Sequence, residues 1–356
     1  MRKTYLDNIR WSTVVLVVVY HVFYLFNACG VPGGVGPFAE VQPQDAILPL
    51  VYPWFMVLLF AVAGMSARYS LEKRSGKDFL KSRTIKLLIP STLGLFVFQW
   101  LVGWLNVTIG GGLTYMTQVP KMVLYLIFAV SGIGPLWFAQ MLWLFSLLLV
   151  LVRKLDKKDK LHAFCEKAHP LVLLPLGFLL WCGAQVGNVP VLTFYRFGIY
   201  GVAFFGGYFI LSLEKIQEAL GRFRWVLLTA SLALALLFVS RWYGKDYTAP
   251  GCLQSPLANL YAWCATLAVL GTFKIWIDKE TGFTRYMSRA SWGIYVLHYF
   301  FALITCWGLK TYTSLPVAAI YALAIIVALL GSVGCWELFR RIPFVRFAVL
   351  GIRKKI

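Results

Sequence analysis

The chain has 356 residues, of which 60% are hydrophobic, 17% aromatic and only 13% charged, and its mean hydropathy is +0.74. Soluble domains are about 45–50% apolar and about 25% charged, so this composition excludes an ordinary soluble protein and indicates a polytopic membrane protein. A formal net charge of +20 also occurs in nucleic-acid-binding proteins, but here membrane topology explains the basic residues better, and we predict no nucleic-acid partner.

Apolar stretches long enough to cross a bilayer, about 20 residues each, recur along the whole chain. We predict ten spans, at about residues 9–28, 48–67, 87–107, 133–152, 171–187, 196–213, 225–243, 257–277, 291–310 and 316–336. The first run follows Arg2 and Lys3 but is longer than the core of a signal peptide, so we expect it to be retained. No intervening segment is long enough for a soluble domain, which predicts an all-α fold and one membrane domain over residues 1–356.

The basic residues indicate the orientation, because Lys and Arg prefer cytoplasmic loops. With the N-terminus in the cytoplasm, all but five of the 34 Lys and Arg residues fall on the cytoplasmic side; the five are Lys121, Arg196, Arg241, Lys245 and Lys310. The apolar segment 121–132 is too short to cross and is predicted to be interfacial or re-entrant, since counting it as a span would invert every later loop. Both termini are therefore predicted to be cytoplasmic, with basic loops that attract anionic lipid headgroups of the bilayer.

The first predicted span, YLDNIRWSTVVLVVVYHVFYLF, contains Asp7, Arg10 and His21. On a helix, Arg10 and His21 differ by three turns plus about 20° and lie on one face about 16 Å apart, and Asp7 shares that face. Ionisable side chains in spans are rare and often mark a pathway or a reaction centre. The structural alternative is that His21 bonds a neighbouring helix while Arg10 snorkels to the interface, but the shared stripe favours function.

A second histidine, His298, lies in the ninth predicted span. Ser291, Tyr295 and His298 recur at i, i+4 and i+7 on one helical face. This pattern fits either a second polar stripe lining the same cavity or a histidine satisfied within the core. His162 and His169 fall in a Lys-rich loop and are expected to be plain surface residues.

The N-terminal segment YLDNIRWSTVVLVVVYH resembles the opening motif of the acyltransferase 3 family of bacterial membrane proteins. In that motif an LDxxR entry is followed by ten residues and a histidine, matched here by Leu6, Asp7, Arg10 and His21. Three further blocks are similar to family blocks in the same order: FAVAGMSARYSLEKRSGKDFLKSRTIKLLIP (60–90), GPLWFAQMLWLFSLLLV (134–150) and MSRASWGIYVLHYF (287–300). The second span reads Ala63-Gly64-Met65 where Ser-Gly is common in the family, so no role is expected for a serine there.

This resemblance implies an integral-membrane acyltransferase of the bacterial cytoplasmic membrane. Family members take an acyl group from a cytoplasmic donor, usually acyl-coenzyme A, and place it on a hydroxyl of a glycan or another acceptor. The expected donor is acetyl- or succinyl-coenzyme A. Many members carry an additional extracytoplasmic hydrolase-like domain, which we do not expect here because the chain ends soon after its last span.

The chemistry of that reaction gives the singled-out residues their expected roles. Transfer to an alcohol needs a base or a nucleophile, and imidazole can serve as either; His21 is the expected base, with a transient acyl-histidine as the variant. Arg10 is expected to bind a phosphate or carbonyl oxygen of the donor and to be oriented by an ion pair with Asp7. The other expected site residues are Arg83, Lys86, Arg285 and Arg289 for the donor phosphates, Trp137 and Phe138 for the acyl channel, and Tyr24, Ser291, Tyr295 and His298 for the substrate channel.

Two other classes of function remain open. A transporter or exporter would use the same polar stripe as a substrate or proton path, although no pair of Gly- or Pro-broken half-helices is apparent in matching halves. An assembly protein without activity would leave the charged residues of the first span unexplained. The oligomeric state is left open.

No metal site is expected, because the sequence has no His-Glu-x-x-His motif and its seven cysteines form no Cys-x-x-Cys pair. Four cysteines lie within spans or at their ends, where they behave as small apolar residues: Cys182, Cys264, Cys306 and Cys335. Cys29 and Cys252 fall in predicted outer loops and would form a disulfide only if their geometry allowed it.

Overall fold

The structure, a computed structural model, describes residues 3–156, 158–189 and 192–353. Over these residues it is helical, with no β-strand beyond an isolated bridge between Asn188 and Arg196, so the predicted all-α class is confirmed. Four basic residues that support the predicted orientation lie outside the described residues: Arg2, Lys157, Lys354 and Lys355. The helices are α1 (Thr4–Leu25), α2 (Ile47–Leu71), α3 (Gly76–Arg83), α4 (Trp100–Ile109), α5 (Lys121–Ser131), α6 (Trp137–Leu155), α7 (Lys160–Glu166), α8 (Leu173–Gln185), α9 (Phe197–Gly206), α10 (Glu214–Arg222), α11 (Arg224–Trp242), α12 (Pro250–Leu253), α13 (Pro256–Trp276), α14 (Gly282–Tyr312), α15 (Val317–Phe339) and α16 (Pro343–Leu350).

Seven helical segments in the described chain are long and apolar enough to cross a membrane: Thr4–Leu25, Pro43–Leu71, Gly134–Leu155, Arg224–Trp242, Pro256–Trp276, Gly282–Tyr312 and Val317–Phe339. They coincide with the first, second, fourth and last four predicted spans. Two further pairs, α7 with α8 and α9 with α10, bend by 115° and 99° at a short break, and counting each pair as one span gives nine. The fifth and sixth predicted spans correspond to α8 and to α9 with its π-helical extension. The chain is therefore a multi-pass membrane protein.

The third predicted span, residues 87–107, is not one continuous helix. Two π-helical turns, Thr84–Leu88 and Leu95–Gln99, lie between α3 and α4. Pro90 separates them because it has no amide hydrogen with which to continue a helix, and the hydroxyl of Ser91 instead donates to Leu87 O at 2.7 Å. The predicted interfacial segment becomes α5, whose 11 residues rise only about 16 Å, roughly half of the hydrocarbon thickness.

The chain divides into two compact units, each built from three stretches of sequence. Unit 1 contains Met1–Thr13, Pro49–Lys81 and Met141–Ser288, and unit 2 contains Val14–Leu48, Ser82–Gln140 and Arg289–Ile356. Several helices, including α1 and α14, contribute residues to both units. The prediction of one domain over residues 1–356 stays a prediction.

Close helix packing in unit 1 depends on Gly64 of α2. A Cβ at this position would lie 1.9 Å from Phe204 O of α9, so only glycine allows the two helices to approach this closely. The N-terminal turns of α1 are tied to the chain that follows α13: Asn8 Nδ2 donates to Ile277 O at 2.6 Å, and the amide of Tyr5 donates to Asp278 Oδ1 at 2.8 Å. These bonds fix the part of α1 that carries the acidic and basic residues of the polar stripe.

In unit 2, the C-terminal end of α1 is fixed by the loop that follows it. The amide of Gly36 donates to Leu25 O at 3.0 Å. Lys310 Nζ, from the end of α14, donates to Gly36 O at 2.7 Å and to Pro37 O at 2.8 Å. The loop and α14 therefore hold the last turns of α1, next to His21.

The expectation that His162 is a plain surface residue is wrong. Its side chain on α7 is buried, with 7% exposure, and its Nδ1 lies 3.3 Å from Glu166 Oε1 one turn later. Burial, and after it the positive charge of Arg68, lower the pKa of His162. His169 is exposed as predicted. The helix α7 turns one face of a Lys-rich segment inward, which composition does not reveal.

Candidate active site

The first polar cluster lies in unit 1, on the N-terminal part of α1 and on α2. Arg10 Nη1 forms an ion pair with Asp7 Oδ1 at 2.6 Å, and Arg10 Nη2 donates to the hydroxyl of Ser66. Ser66 Oγ donates in turn to Val62 O at 2.7 Å, so its lone pairs are left for the guanidinium. The Arg10 side chain remains 38% exposed. Asp7 and Ser66 therefore help to hold a guanidinium that is partly exposed.

The second polar cluster lies in unit 2 and contains two imidazole rings. His21 Nδ1 lies 2.8 Å from Val17 O, one turn earlier on α1, and 3.2 Å from His298 Nε2 on α14. The ring centroids of His21 and His298 are 5.0 Å apart. The fold thus pairs two histidines that are separated by 277 positions in the sequence.

Backbone carbonyls determine which ring nitrogens carry hydrogen. A carbonyl oxygen can only accept, so the nitrogen facing it is the N–H of a neutral imidazole. His21 Nδ1–H therefore donates to Val17 O, and His298 Nδ1–H donates to Tyr295 O at 2.8 Å. His298 Nε2 is then an acceptor that faces His21 Nδ1–H. It follows that His21 Nε2, the remaining nitrogen, carries a lone pair and can accept a proton.

Aromatic side chains surround the His21 ring. The rings of Tyr20, Tyr24 and Tyr299 stand nearly perpendicular to it, at centroid distances of 5.4, 6.2 and 5.2 Å. Tyr24 OH donates to Pro32 O at 2.6 Å, whereas the hydroxyl of Tyr299 has no hydrogen-bond partner among the described residues. His21 itself is half-buried. The imidazole is therefore shielded by aromatic rings and still partly accessible.

The other predicted channel residues lie along α14 and at the start of α6. Tyr295 is buried and its hydroxyl donates to Pro135 O, which makes it a packed residue of the core. Its ring centroid lies 5.9 Å from that of His298 and 5.6 Å from that of Phe138. Two further predicted residues are half-buried: Trp137 and Ser291. Tyr295 thus adjoins His298, and Phe138 packs on the ring of Tyr295 within unit 2.

The four basic residues expected at the donor phosphates lie in different surroundings. Arg83 ends α3 and is half-buried, and Lys86 is exposed in the π-helical turn that follows. Arg285, in unit 1, is exposed and pairs with Glu280. Arg289, in unit 2, is exposed as well. The Glu280 carboxylate therefore already neutralises the charge of Arg285.

Three residues of these clusters were not predicted from the sequence. Ser66 contacts Arg10, and Tyr20 and Tyr299 contact the His21 ring. The two tyrosines each adjoin one of the two histidines in the sequence, which is the signal that identifies them in retrospect. Ser66 carries a weaker signal, the one serine within the second predicted span.

No group of three or more His, Cys, Asp or Glu side chains that could hold a metal ion occurs within residues 3–156, 158–189 and 192–353. Cys29 and Cys252 are both buried, and no disulfide joins them. The cluster in unit 1 offers guanidinium, carboxylate and hydroxyl groups, and the cluster in unit 2 offers imidazole groups.

The fold and the histidine pair define a multi-pass membrane protein with a proton-accepting imidazole among its helices. A family model described as an acyltransferase domain matches residues 3–337. The chain therefore belongs to the acyltransferase 3 family, as the opening motif predicted, and is a membrane acyltransferase. No curated protein and no solved structure matched the chain. The matched range includes every predicted site residue, from Asp7 to His298.

Proposed function

We propose that this acyltransferase moves an acyl group from cytoplasmic acyl-coenzyme A to a hydroxyl of a glycan or another cell-envelope or small-molecule acceptor, with His21 as the general base. The observation that carries the proposal is that both hydrogen bonds of the His21 ring are made by Nδ1, which leaves the lone pair on Nε2 for a proton. A neutral imidazole is well suited to deprotonate an alcohol near neutral pH. We assign the protein to the bacterial cytoplasmic membrane and its donor to acetyl- or succinyl-coenzyme A.

In the proposed reaction, the acceptor hydroxyl gives its proton to His21 Nε2 while its oxygen attacks the thioester carbonyl carbon. The C–S bond then breaks, the coenzyme A thiolate leaves, and the proton on Nε2 passes to the sulfur. One ester forms, one thioester is lost and His21 returns to its neutral state. While the ring is an imidazolium, Val17 O and His298 Nε2 both accept from Nδ1–H and stabilise the positive charge. His298 is thus a positioning residue for His21.

A variant of this mechanism uses the same lone pair as a nucleophile. His21 Nε2 attacks the thioester, the thiolate leaves, and the resulting acyl-imidazole gives its acyl group to the acceptor oxygen, whose proton is released. The hydrogen bonds at Nδ1 would serve this variant equally. A radiolabelled acyl group that stays on the protein after denaturation, and is absent from His21→Ala, would favour the variant over the base.

Arg10 is proposed to hold the donor through a phosphate or carbonyl oxygen. Arginine suits this role because its planar fork makes paired, charge-assisted hydrogen bonds to phosphate oxygens. Asp7 and Ser66 orient the guanidinium, and the side chain is exposed enough for a ligand to reach it. Additional phosphate contacts are proposed for Arg83, Lys86, Arg285 and Arg289.

The acyl and acceptor channels are proposed to run beside the histidine pair. Trp137 and Phe138 are assigned to the acyl group, and Phe138 adjoins Tyr295. Tyr24 and Ser291 are assigned to the substrate channel with His298. The hydroxyl of Tyr299, which stands beside the His21 ring, is available to an acceptor hydroxyl.

Equilibrium binding and thioester cleavage of acetyl- and succinyl-coenzyme A by the purified chain in detergent test the proposal. We expect saturable binding and cleavage by the wild type. His21→Ala should lower cleavage by about 10²–10⁴-fold, the usual contribution of a general base, and should still bind donor. Arg10→Ala should weaken donor binding. His169→Ala, an exposed histidine, is the matched control and should behave as the wild type.

Two results would contradict the proposal in different ways. Undiminished cleavage by His21→Ala would remove the base assignment and keep the donor. Failure of the folded wild type to bind any acyl-coenzyme A would favour a transporter, in which the polar stripe is a conduction path. The two bent helix pairs give that alternative no support, because both lie in consecutive sequence between Lys160 and Arg222 rather than in matching halves of the chain.

A further inference from the structure

Arg346 on α16 is a buried cation to which the proposed reaction gives no role. The residue is only 9% exposed, yet its Nε has no hydrogen-bond partner among the described residues. Its Nη1 and Nη2 lie 3.4 and 3.3 Å from Arg340 O and Arg353 O, longer than the usual range of about 2.7–3.2 Å. The Glu337 carboxylate pairs with Arg340 instead. Within the described chain, Arg346 thus has no carboxylate partner.

Such a side chain is unfavourable in the protein alone. A buried cation without a counter-ion costs free energy, and so does a buried N–H group without an acceptor. Arginine cannot relieve the cost by losing its proton. A bound anion would supply both the missing charge and the missing acceptor, so the position of Arg346 points to an anionic ligand.

Three segments of unit 2 meet at the C-terminal end of α16. Gly351 has a φ of +63°, and a Cβ at this position would lie 2.3 Å from Ile85 O in the π-helical turn Thr84–Leu88. Trp292 Nε1, near the start of the unit 2 part of α14, donates to Leu350 O at 3.2 Å. Both contacts anchor α16 to elements that carry basic side chains.

The meeting place of residues 84–88, 289–292 and 343–351 is named the α16 junction. Besides Arg346, the segments of the junction carry Lys86 and Arg289. Over the longer stretches 82–140 and 289–356 of unit 2, the sequence has one acidic residue, Glu337. The three segments of the α16 junction therefore carry three basic residues and no acidic one, a composition that attracts anions.

A phosphate ester is the anion that fits these observations. The planar fork of a guanidinium matches phosphate oxygens. Trp292, at the α16 junction, and His298 are six residues apart on α14, which corresponds to about 9 Å along the helix axis. The flexible arm between the phosphates and the thioester of coenzyme A can span that distance. We propose that Arg346 anchors a phosphate group at the α16 junction and that this phosphate belongs to the nucleotide half of the acyl donor. The identity of the donor rests on the proposed function.

The test uses the full chain in nanodiscs of neutral phosphatidylcholine and compares the binding of coenzyme A with that of pantetheine, which lacks the nucleotide and its phosphates. Arg346→Gln should weaken coenzyme A binding about tenfold or more, the effect of losing a hydrogen bond between charged groups. Arg346→Lys, which keeps the charge but not the fork, should weaken it less and covers the case in which the glutamine variant does not fold. Pantetheine binding should be the same in all variants.

Arg341→Gln is the matched control, since it removes the same charge from an exposed position just before α16. It should bind coenzyme A as the wild type does. Equal affinity of Arg346→Gln and Arg341→Gln for coenzyme A would overturn the assignment of the phosphate to the donor. If Arg346→Gln does not fold, equal affinity of the wild type and Arg346→Lys would overturn it.

Nanodiscs that contain anionic phosphatidylglycerol separate a lipid phosphate from a donor phosphate. If the lipid raised the unfolding temperature of the wild type but not that of the Arg346 variants, with coenzyme A binding unchanged, the ligand would be a headgroup and the donor assignment would fall. If neither ligand distinguished the Arg346 variants from the wild type, the site itself would fall. Failure of the wild type to bind any coenzyme A would count against the proposed function, and the lipid comparison would still decide whether Arg346 holds a phosphate.

Discussion

The two ends of α1 use polar side chains in opposite ways. In unit 1, Asp7 and Arg10 form an ion pair at 2.6 Å, with the Ser66 hydroxyl as a third partner. In unit 2, His21 Nδ1 bonds only to neutral acceptors, Val17 O and His298 Nε2. A charge inside the bilayer is expensive, whereas a neutral imidazole with a satisfied N–H is far less so. One helix therefore carries a paired, permanent charge near its end and a neutral, protonatable group further along.

The partners also determine what each group can do. An ion pair fixes the position of a guanidinium and leaves its charge in place, which suits the binding of an anionic donor. A carbonyl partner fixes the tautomer of an imidazole and leaves the second nitrogen free for a proton. Removing a partner should accordingly change donor binding at one end of α1 and proton transfer at the other.

The largest effect expected from this comparison is at His298. In His298→Ala, the imidazolium form of His21 loses an acceptor worth about 1.5–3 kcal/mol, so kcat should fall roughly tenfold to a hundredfold. The KM for acyl-coenzyme A should stay the same, because the donor is assigned to other residues. Steady-state transfer kinetics of the purified variant measure both constants.

His298→Gln provides the matched variant, since its side-chain carbonyl can accept from His21 Nδ1–H. It should recover part of the lost kcat. Equal losses of kcat in the alanine and glutamine variants, accompanied by equal losses of thermal stability, would show that His298 only packs against its neighbours.

A smaller effect is expected at the charged end of α1. Ser66→Ala removes the acceptor of Arg10 Nη2. Because Arg10 is 38% exposed, water replaces part of this bond, so a loss of about 0.5–1.5 kcal/mol should raise the donor KM roughly twofold to tenfold with kcat unchanged. Ser70→Ala is the control, because Ser70 is half-buried one turn later on the same helix and its hydroxyl makes no bond within the described chain. A fall in kcat at constant KM would place Ser66 with proton transfer and contradict the comparison.

Most of the fold was predictable because an apolar stretch of about 20 residues has few alternatives to a helix in a bilayer. The prediction failed in detail at residues 87–107, where Pro90 interrupts the helix and the hydroxyls of Ser91 and Thr92 donate to the carbonyls of Leu87 and Leu88. Hydropathy does not report such local hydrogen-bond competition. Hydropathy also does not reveal the bends between α7 and α8 and between α9 and α10.

The candidate site was predictable only where it depends on a single helix. Helical periodicity placed Asp7, Arg10 and His21 on one face, and the ion pair of the first two follows from their spacing. The bond between His21 and His298 joins distant parts of the chain, and periodicity could only leave open whether His298 lines the same cavity. The tautomer of His21 depends on Val17 O and was not readable at all.

The smallest effect extends the comparison to His162, a neutral histidine outside the spans. Burial, and next the charge of Arg68, lower its pKa in the folded protein. As the pH falls below about 6.5, the pKa of an ordinary histidine, His162 takes up a proton in the unfolded chain more readily than in the folded protein. The contribution of His162 to the free energy of unfolding is therefore complete above that pH and is lost as the pH falls. Between about pH 7.5 and pH 5.5, the unfolding temperature of His162→Gln in detergent should fall less than that of the wild type, while exposed His169→Gln should follow the wild type. If the unfolding temperatures of the wild type, His162→Gln and His169→Gln fell in parallel with pH, His162 would accept a proton as readily in the folded protein as in the unfolded chain. Burial without a carbonyl partner would then not be enough to keep this imidazole neutral.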